Sequence, residues 1–155
     1  MSFKRKQQQL EQRILYLFWN RSIEIEKPQF NLRWTYIFAQ AAHRLNKTGY
    51  AVTLYATSNN KTSLQFSIGP QQRKFRLSLD WDDDNQPMAV VEFLQFDPDY
   101  IINVLRPVFA ATETLQDFTR CSGNAFYHPL TGTKEEIVAF LCKTVATLCI
   151  AINKL

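Results

Sequence analysis

The sequence predicts an α+β fold: a four-stranded antiparallel meander, with two N-terminal helices and two to three C-terminal helices packed mainly on one sheet face. Three observations predict it. Residues 50–96 alternate apolar and polar positions and are cut by three turn signals. Apolar residues on either side of that block recur at helical spacing. The helical and strand blocks are also segregated along the chain rather than interleaved. With 155 residues, 46% apolar and 14% aromatic, the chain fits a single globular domain over 1–155, and residues 1–6 are expected as a flexible basic tail.

Each element follows from local pattern. The first helix is expected from about Gln7 to Asn20, where Leu10, Ile14, Leu17 and Phe18 share a face. Pro28 marks a connection. The second helix is expected from Leu32 to Lys47, with Asn31 as N-cap and Gly49 just past the end; Trp34, Phe38, Ala41, Ala42 and Leu45 form its stripe. In "YAVTLYAT" Tyr50, Val52, Leu54 and Ala56 face one way, and in "TSLQFSIG" Leu64, Phe66 and Ile68 do the same. "RKFRLSLDW" sets Phe75, Leu77, Leu79 and Trp81 against Lys74, Arg76, Ser78 and Asp80. "MAVVEFLQF" is apolar on both faces apart from Glu92, the pattern of a strand covered on both sides or central in its sheet.

Beyond the strands, Asp97 is expected to cap a helix with Pro98 in its first position. Pro107 should end or kink that helix, with a further helical stretch through "VFAATETLQDFTR". "CSGNAFYHPLTG" reads as a loop, and Thr133 with Glu136 forms a capping box for the last helix. The apolar sheet face needs a cover, most simply the first and last helices. The other face, with Thr53, Tyr55, Gln65, Ser67, Lys74, Arg76 and Ser78, is left for water or a partner.

Composition narrows the function classes. Cys121, Cys142 and Cys149 lack metal-ligand spacing, and the last two are expected as small buried hydrophobes. "MSFKRKQQQLEQR" has no apolar segment behind its basic residues, so no signal peptide is expected and the cytoplasm is the expected location. "IVAFLCKTVATLCIAI" is sixteen residues long with Lys143 near its middle, short of the roughly 20 a membrane span needs. It reads as a core helix, and no membrane partner is expected.

The most distinctive stretch is "LDWDDDNQP", Leu79 to Pro87. Asp80, Asp82 and Asp84 match positions 1, 3 and 5 of a calcium loop, but Val91 stands where the bidentate glutamate belongs, and the flanks are strands. Asp82, Asp84 and Glu92 also approximate the metal ligands of a restriction-type nuclease. Glu92-Phe93-Leu94, however, lacks the lysine of Glu-x-Lys that would stabilise the transition state. A hairpin turn explains the aspartates more simply, since they bond to nearby backbone in turns. Cys121, His128 and Asp117 offer the residue types of a nucleophilic triad without any motif to place them. No nucleotide-binding, zinc or hydrolase motif occurs, so no catalytic residue and no cofactor is assigned.

Charge is the strongest signal. Residues 1–79 hold thirteen Lys/Arg against three acidic residues, a net of +10; residues 80–117 hold nine acidic residues against one arginine, a net of −8. Two consequences are open. Lys4, Arg5, Lys6, Arg13, Arg33, Arg44, Lys74 and Arg76 could form a phosphate-binding surface with Tyr55 as a stacking platform. Alternatively, the basic residues neutralise the acidic segment within the fold or between subunits. The expected function is therefore a non-enzymatic binding or adaptor protein acting through a protein partner or as a homodimer. A nucleic-acid binder is the alternative, and a metal-dependent nuclease stands behind it.

Overall fold

Four strands form where the alternation predicts them: β1 (Val52–Ala56), β2 (Thr62–Ile68), β3 (Arg73–Trp81) and β4 (Pro87–Phe93). The computed structural model describes residues 32–56, 62–122 and 124–154. The Gln7–Asn20 helix, the 1–6 tail and the Asn31 cap lie outside the described residues. So do Lys4, Arg5, Lys6 and Arg13.

The meander is antiparallel and its register carries the core. One rung runs Val52, Phe66, Phe75, Phe93 across β1 to β4, and the next runs Leu54, Leu64, Leu77, Val91. Phe66, Phe75 and Phe93 stack in sequence and hand on to Tyr100, with ring centroids 5.9, 5.2 and 4.9 Å apart. Trp81, expected on the core side, sits at the rim of that face, 42% exposed, edge-on to Trp34 at 6.0 Å.

The sheet does not stop at four strands. "CSGNAFYHPLTG", expected as a loop, contributes to a hairpin of β5 (Thr119–Ser122) and β6 (Ala125–Pro129), and β6 pairs with β4. Among the described residues the order is β1-β2-β3-β4-β6-β5, six strands, all antiparallel. This placement explains the two apolar faces of β4: it is interior to the sheet, with Val91 beside Phe126 and Val90 beside Tyr127. Asn124 fastens the junction, its backbone carbonyl accepting from Phe93 N at 3.1 Å and its side-chain amide donating to Phe93 O.

The apolar face is covered by α1 (Leu32–Lys47), packed against α4 (Lys134–Asn153) and on β1 and β2. Among the described residues the cover comes from the helices that begin at Leu32 and Lys134, and the share expected of the Gln7–Asn20 helix lies outside them. The helix α1 ends as its sequence predicts. Gly49 has φ +98°, Tyr50 N donates to Leu45 O at 3.0 Å and Gly49 N to Asn46 O at 3.3 Å, the Schellman pattern. The Thr133–Glu136 capping box opens α4.

Between β4 and β5 the chain forms one helical run: α2 (Pro98–Tyr100), a π-helical stretch (Ile101–Leu105) and α3 (Arg106–Ala111). Asp97 caps it, accepting from Tyr100 N at 3.1 Å. Pro107 neither ends the run nor leaves it regular. Its ring would press on the Asn103 carbonyl in an α-helix, and the wider π turn just before it relieves that clash. The helix stops at Ala111, so the expected extension through "TETLQDFTR" is replaced by turns and β5. Phe109 stacks on Phe126 at 4.0 Å, which seats the run on the same sheet face as α1 and α4.

Candidate functional site

Two apolar grooves flank the helical run. The larger, about 790 Å³, lies between the run and the end of α4; Val104, Pro107, Val108 and Ala111 form one wall and Ile150 and Ala151 the other. The apolar stretch of α4 is wider than one face. Val138, Leu141, Val145, Leu148 and Ile152 fill the core, while Ile150 projects from it, 50% exposed. The smaller groove, about 370 Å³, gathers Leu94, Phe96, Pro98, Ile101 and Ile102 near Asn124. Phe96 is 98% exposed and Ile102 47%. Both follow from where pairing ends: Phe93 is the last β4 residue in the ladder, so Phe96 falls in the turn before the Asp97 cap.

A third cavity, about 260 Å³, adjoins the larger groove across Val104. It lies between the β2–β3 turn and the C-terminal end of α4, and its polar lining includes Arg73, Tyr100 and Asn153. The Arg73 guanidinium lies over the Tyr100 ring, 3.8 Å from its centroid, and 3.8 Å from Asp97 Oδ2. The Tyr100 hydroxyl is buried and has no hydrogen-bond partner among the described residues.

The acidic turn is built differently. Asp82 Oδ1 accepts from Asp84 N at 2.9 Å and Gln86 N at 2.8 Å, Asn85 N donates to Asp82 O at 3.0 Å, and Asn85 takes the left-handed conformation at φ 59°. Asp80, Asp82, Asp83 and Asp84 are all exposed. Glu92 stands five residues along β4 from Pro87, roughly 17 Å at strand rise, and is paired with Arg76. The structure therefore does not bring Asp82, Asp84 and Glu92 together. No group of three or more His, Cys, Asp or Glu side chains could hold a metal ion among the described residues.

The basic residues divide between layers. Tyr55, Lys74 and Arg76 lie on the sheet face away from the helices, where Thr53, Gln65, Arg76 and Glu92 make one rung. Tyr55 and Lys74 border a shallow polar groove there, with Gln65, Ser67 and Gln72. Arg33 and Arg44 lie on α1, on the opposite layer, and Arg44 faces Glu135 at 3.6 Å. Of the expected phosphate-binding set, only Tyr55, Lys74 and Arg76 are brought together among the described residues, and Arg76 is already engaged by Glu92.

His128 packs between Phe118 and Phe140, with centroids at 5.0 and 4.7 Å, and its Nδ1 lies 2.7 Å from Pro129 O. Thr119 is paired with Tyr127, so Cys121 lies further along β5, away from His128. Cys142 and Cys149 are core-side thiols on α4, and burial pushes both pKa values up, that of Cys149 to about 11. No helix among the described residues is long and apolar enough to cross a membrane.

The sequence reading missed Phe96, Ile102 and Ile150 as a surface, and Arg73 with Tyr100 as a pair. One local signal existed: Phe96 is a large apolar residue in a stretch that turns the chain before a helix cap. Compared with protein-family models, with curated proteins and with solved structures, the chain matches none of them.

Proposed function

We propose that this chain is a non-enzymatic binding protein that takes an apolar helix of a protein partner into the groove between the helical run and α4. The observation that carries this reading is the groove itself: two helices leave Val104, Val108, Ala111 and Ile150 lining a channel that a third helix can fill. Charge supplies the polar side of the match. The groove itself is lined by one acid and one base, Glu113 and Lys154, while the run and its flanks add Asp97, Asp99 and Asp117 against Arg106, so a helix with basic residues on its solvent face is favoured.

The experiment uses a defined probe, a synthetic amphipathic Leu/Lys helix, with a scrambled peptide of the same composition as control. The expected result is binding of the amphipathic peptide alone. Ile150→Gln should weaken it tenfold or more, since a buried Ile side chain is worth about 1.5–3 kcal/mol. The variant should melt as the parent does, because Ile150 is half exposed already. Equal binding of the scrambled peptide, or no loss in Ile150→Gln, would remove the reading. Light scattering on the free protein asks whether a second copy presents the helix instead.

A further inference from the structure

We infer that the shallow polar groove on the sheet face away from the helices, about 420 Å³, is a binding site for single-stranded nucleic acid. The inference is independent of the helix groove. It rests on an exposed aromatic ring and an uncompensated cation on one surface, with neutral hydrogen-bonding groups between them.

The groove crosses three strands. Thr53 and Tyr55 come from β1, Gln65 and Ser67 from β2, and Gln72 and Lys74 from the entry to β3. Tyr55 is 43% exposed, so its ring is open to a ligand, and a base stacks on such a ring whatever its identity. Lys74 is exposed and has no ion pair among the described residues, whereas its neighbours Arg73 and Arg76 face Asp97 and Glu92. The groove therefore keeps one free positive charge for a phosphate. Gln65 and Gln72 bring amides that both donate and accept, as the edge of an unpaired base requires. The hydroxyls of Thr53 and Ser67 suit sugar and phosphate oxygens.

The spacing favours a strand over a free nucleotide. Tyr55 is paired with Ser63 and Lys74 with Ser67, so the two stand four residues apart along β2 and on either side of it. At ordinary strand rise and separation their Cα atoms are roughly 17 Å apart. A base on Tyr55 and a phosphate at Lys74 then belong to neighbouring nucleotides of one chain.

Gln72 adds an independent sign. It takes the left-handed conformation, φ 53°, in the turn where its N–H donates to Gly69 O at 3.1 Å. Glycine or asparagine would adopt that conformation more readily, so the turn gives no reason for a glutamine. Its side-chain amide reaches the Gly69 carbonyl only at 3.4 Å, at the groove wall. A strained residue whose side chain lines a recess fits a binding role.

The test is fluorescence anisotropy of the whole protein with labelled oligothymidylate, against a hairpin duplex and free AMP, over a series of salt concentrations. The expected result is salt-sensitive binding of the single strand and much weaker binding of the duplex, whose bases are not free to stack. Tyr55→Thr should weaken strand binding roughly tenfold, as loss of one stacked base does, while Tyr55→Phe keeps the stack and binds as the parent does. Lys74→Gln should flatten the slope of log affinity against log salt by about 0.7, the share of one phosphate. Both positions are exposed, so these variants fold as the parent does. Gln72→Gly relieves the backbone, and should melt about 2–4 °C higher while binding the strand more weakly. Equal binding of the duplex overturns the inference, as does AMP bound as tightly as the strand. Strand binding that Tyr55→Thr and Lys74→Gln both leave unchanged overturns it too, since basic residues elsewhere would then carry the affinity. So does no binding at low salt up to about 0.1 mM protein, the weak limit of phosphate-dominated contacts.

Discussion

The acidic turn and the Arg73–Tyr100 cluster are both dense in polar groups, yet those groups are answered in different ways. In the turn, Asp82 accepts from two backbone amides, Asp80 accepts from Trp81 N, and all four aspartates are exposed to water. Beside the cavity, the buried Tyr100 hydroxyl has no partner among the described residues, while the Arg73 guanidinium lies on the Tyr100 ring and faces Asp97 at 3.8 Å. Residue type drew attention to the four aspartates, but a polar group signals binding when it is desolvated and unpaired, not when it is abundant. An exposed carboxylate loses little by having no ligand; a buried donor loses a hydrogen bond it would have made with water.

Asp97→Ala is the largest expected break of that contrast. It removes the cap on Tyr100 N and the counter-charge of Arg73, so urea unfolding should show a loss of about 1–2 kcal/mol.

Cys149 extends the comparison to a buried group for which solitude is cheap, because a thiol is a weak donor. Its pKa is raised by burial from 9.0 to about 11. The folded state therefore holds the proton that the unfolded state releases between those values. Its contribution is complete below pH 9 and falls as pH rises towards 11, by at most about 1.4 kcal/mol per pH unit. Comparing parent and Cys149→Ala by chemical denaturation across that range isolates the slope, which the variant should lack.

In the turn, Asp82→Ala should cost about 1 kcal/mol through its two backbone donors, whereas Asp82→Asn, which keeps the acceptor, should stay within about 0.5. Neither melting temperature should respond to magnesium or calcium. A rise in the parent that the variants lose would make the turn a metal site after all.

Legibility followed the range of the forces. The bounds of α1, the Thr133–Glu136 box, the Asp97 cap and the facing of Leu64, Phe66, Phe75 and Leu77 were all readable, because each depends on residues within a turn or on strict alternation. The β5–β6 hairpin was not. Its strands are short, and what holds β6 is distant: β4 beside it and Phe109 stacked on Phe126. A helical continuation past Ala111 agreed with local pattern and lost to those pairings.

The sequence by itself determined the α+β class, the meander, the strand faces, the ends of α1 and the start of α4, since backbone geometry makes these functions of neighbouring residues. Only the tertiary structure decided which polar groups stay unanswered. Arg76 and Arg73 are three residues apart on one strand, yet one meets Glu92 across the sheet and the other lies on Tyr100 beside a cavity. That difference comes from what packing brings to each side chain, and no local pattern encodes it.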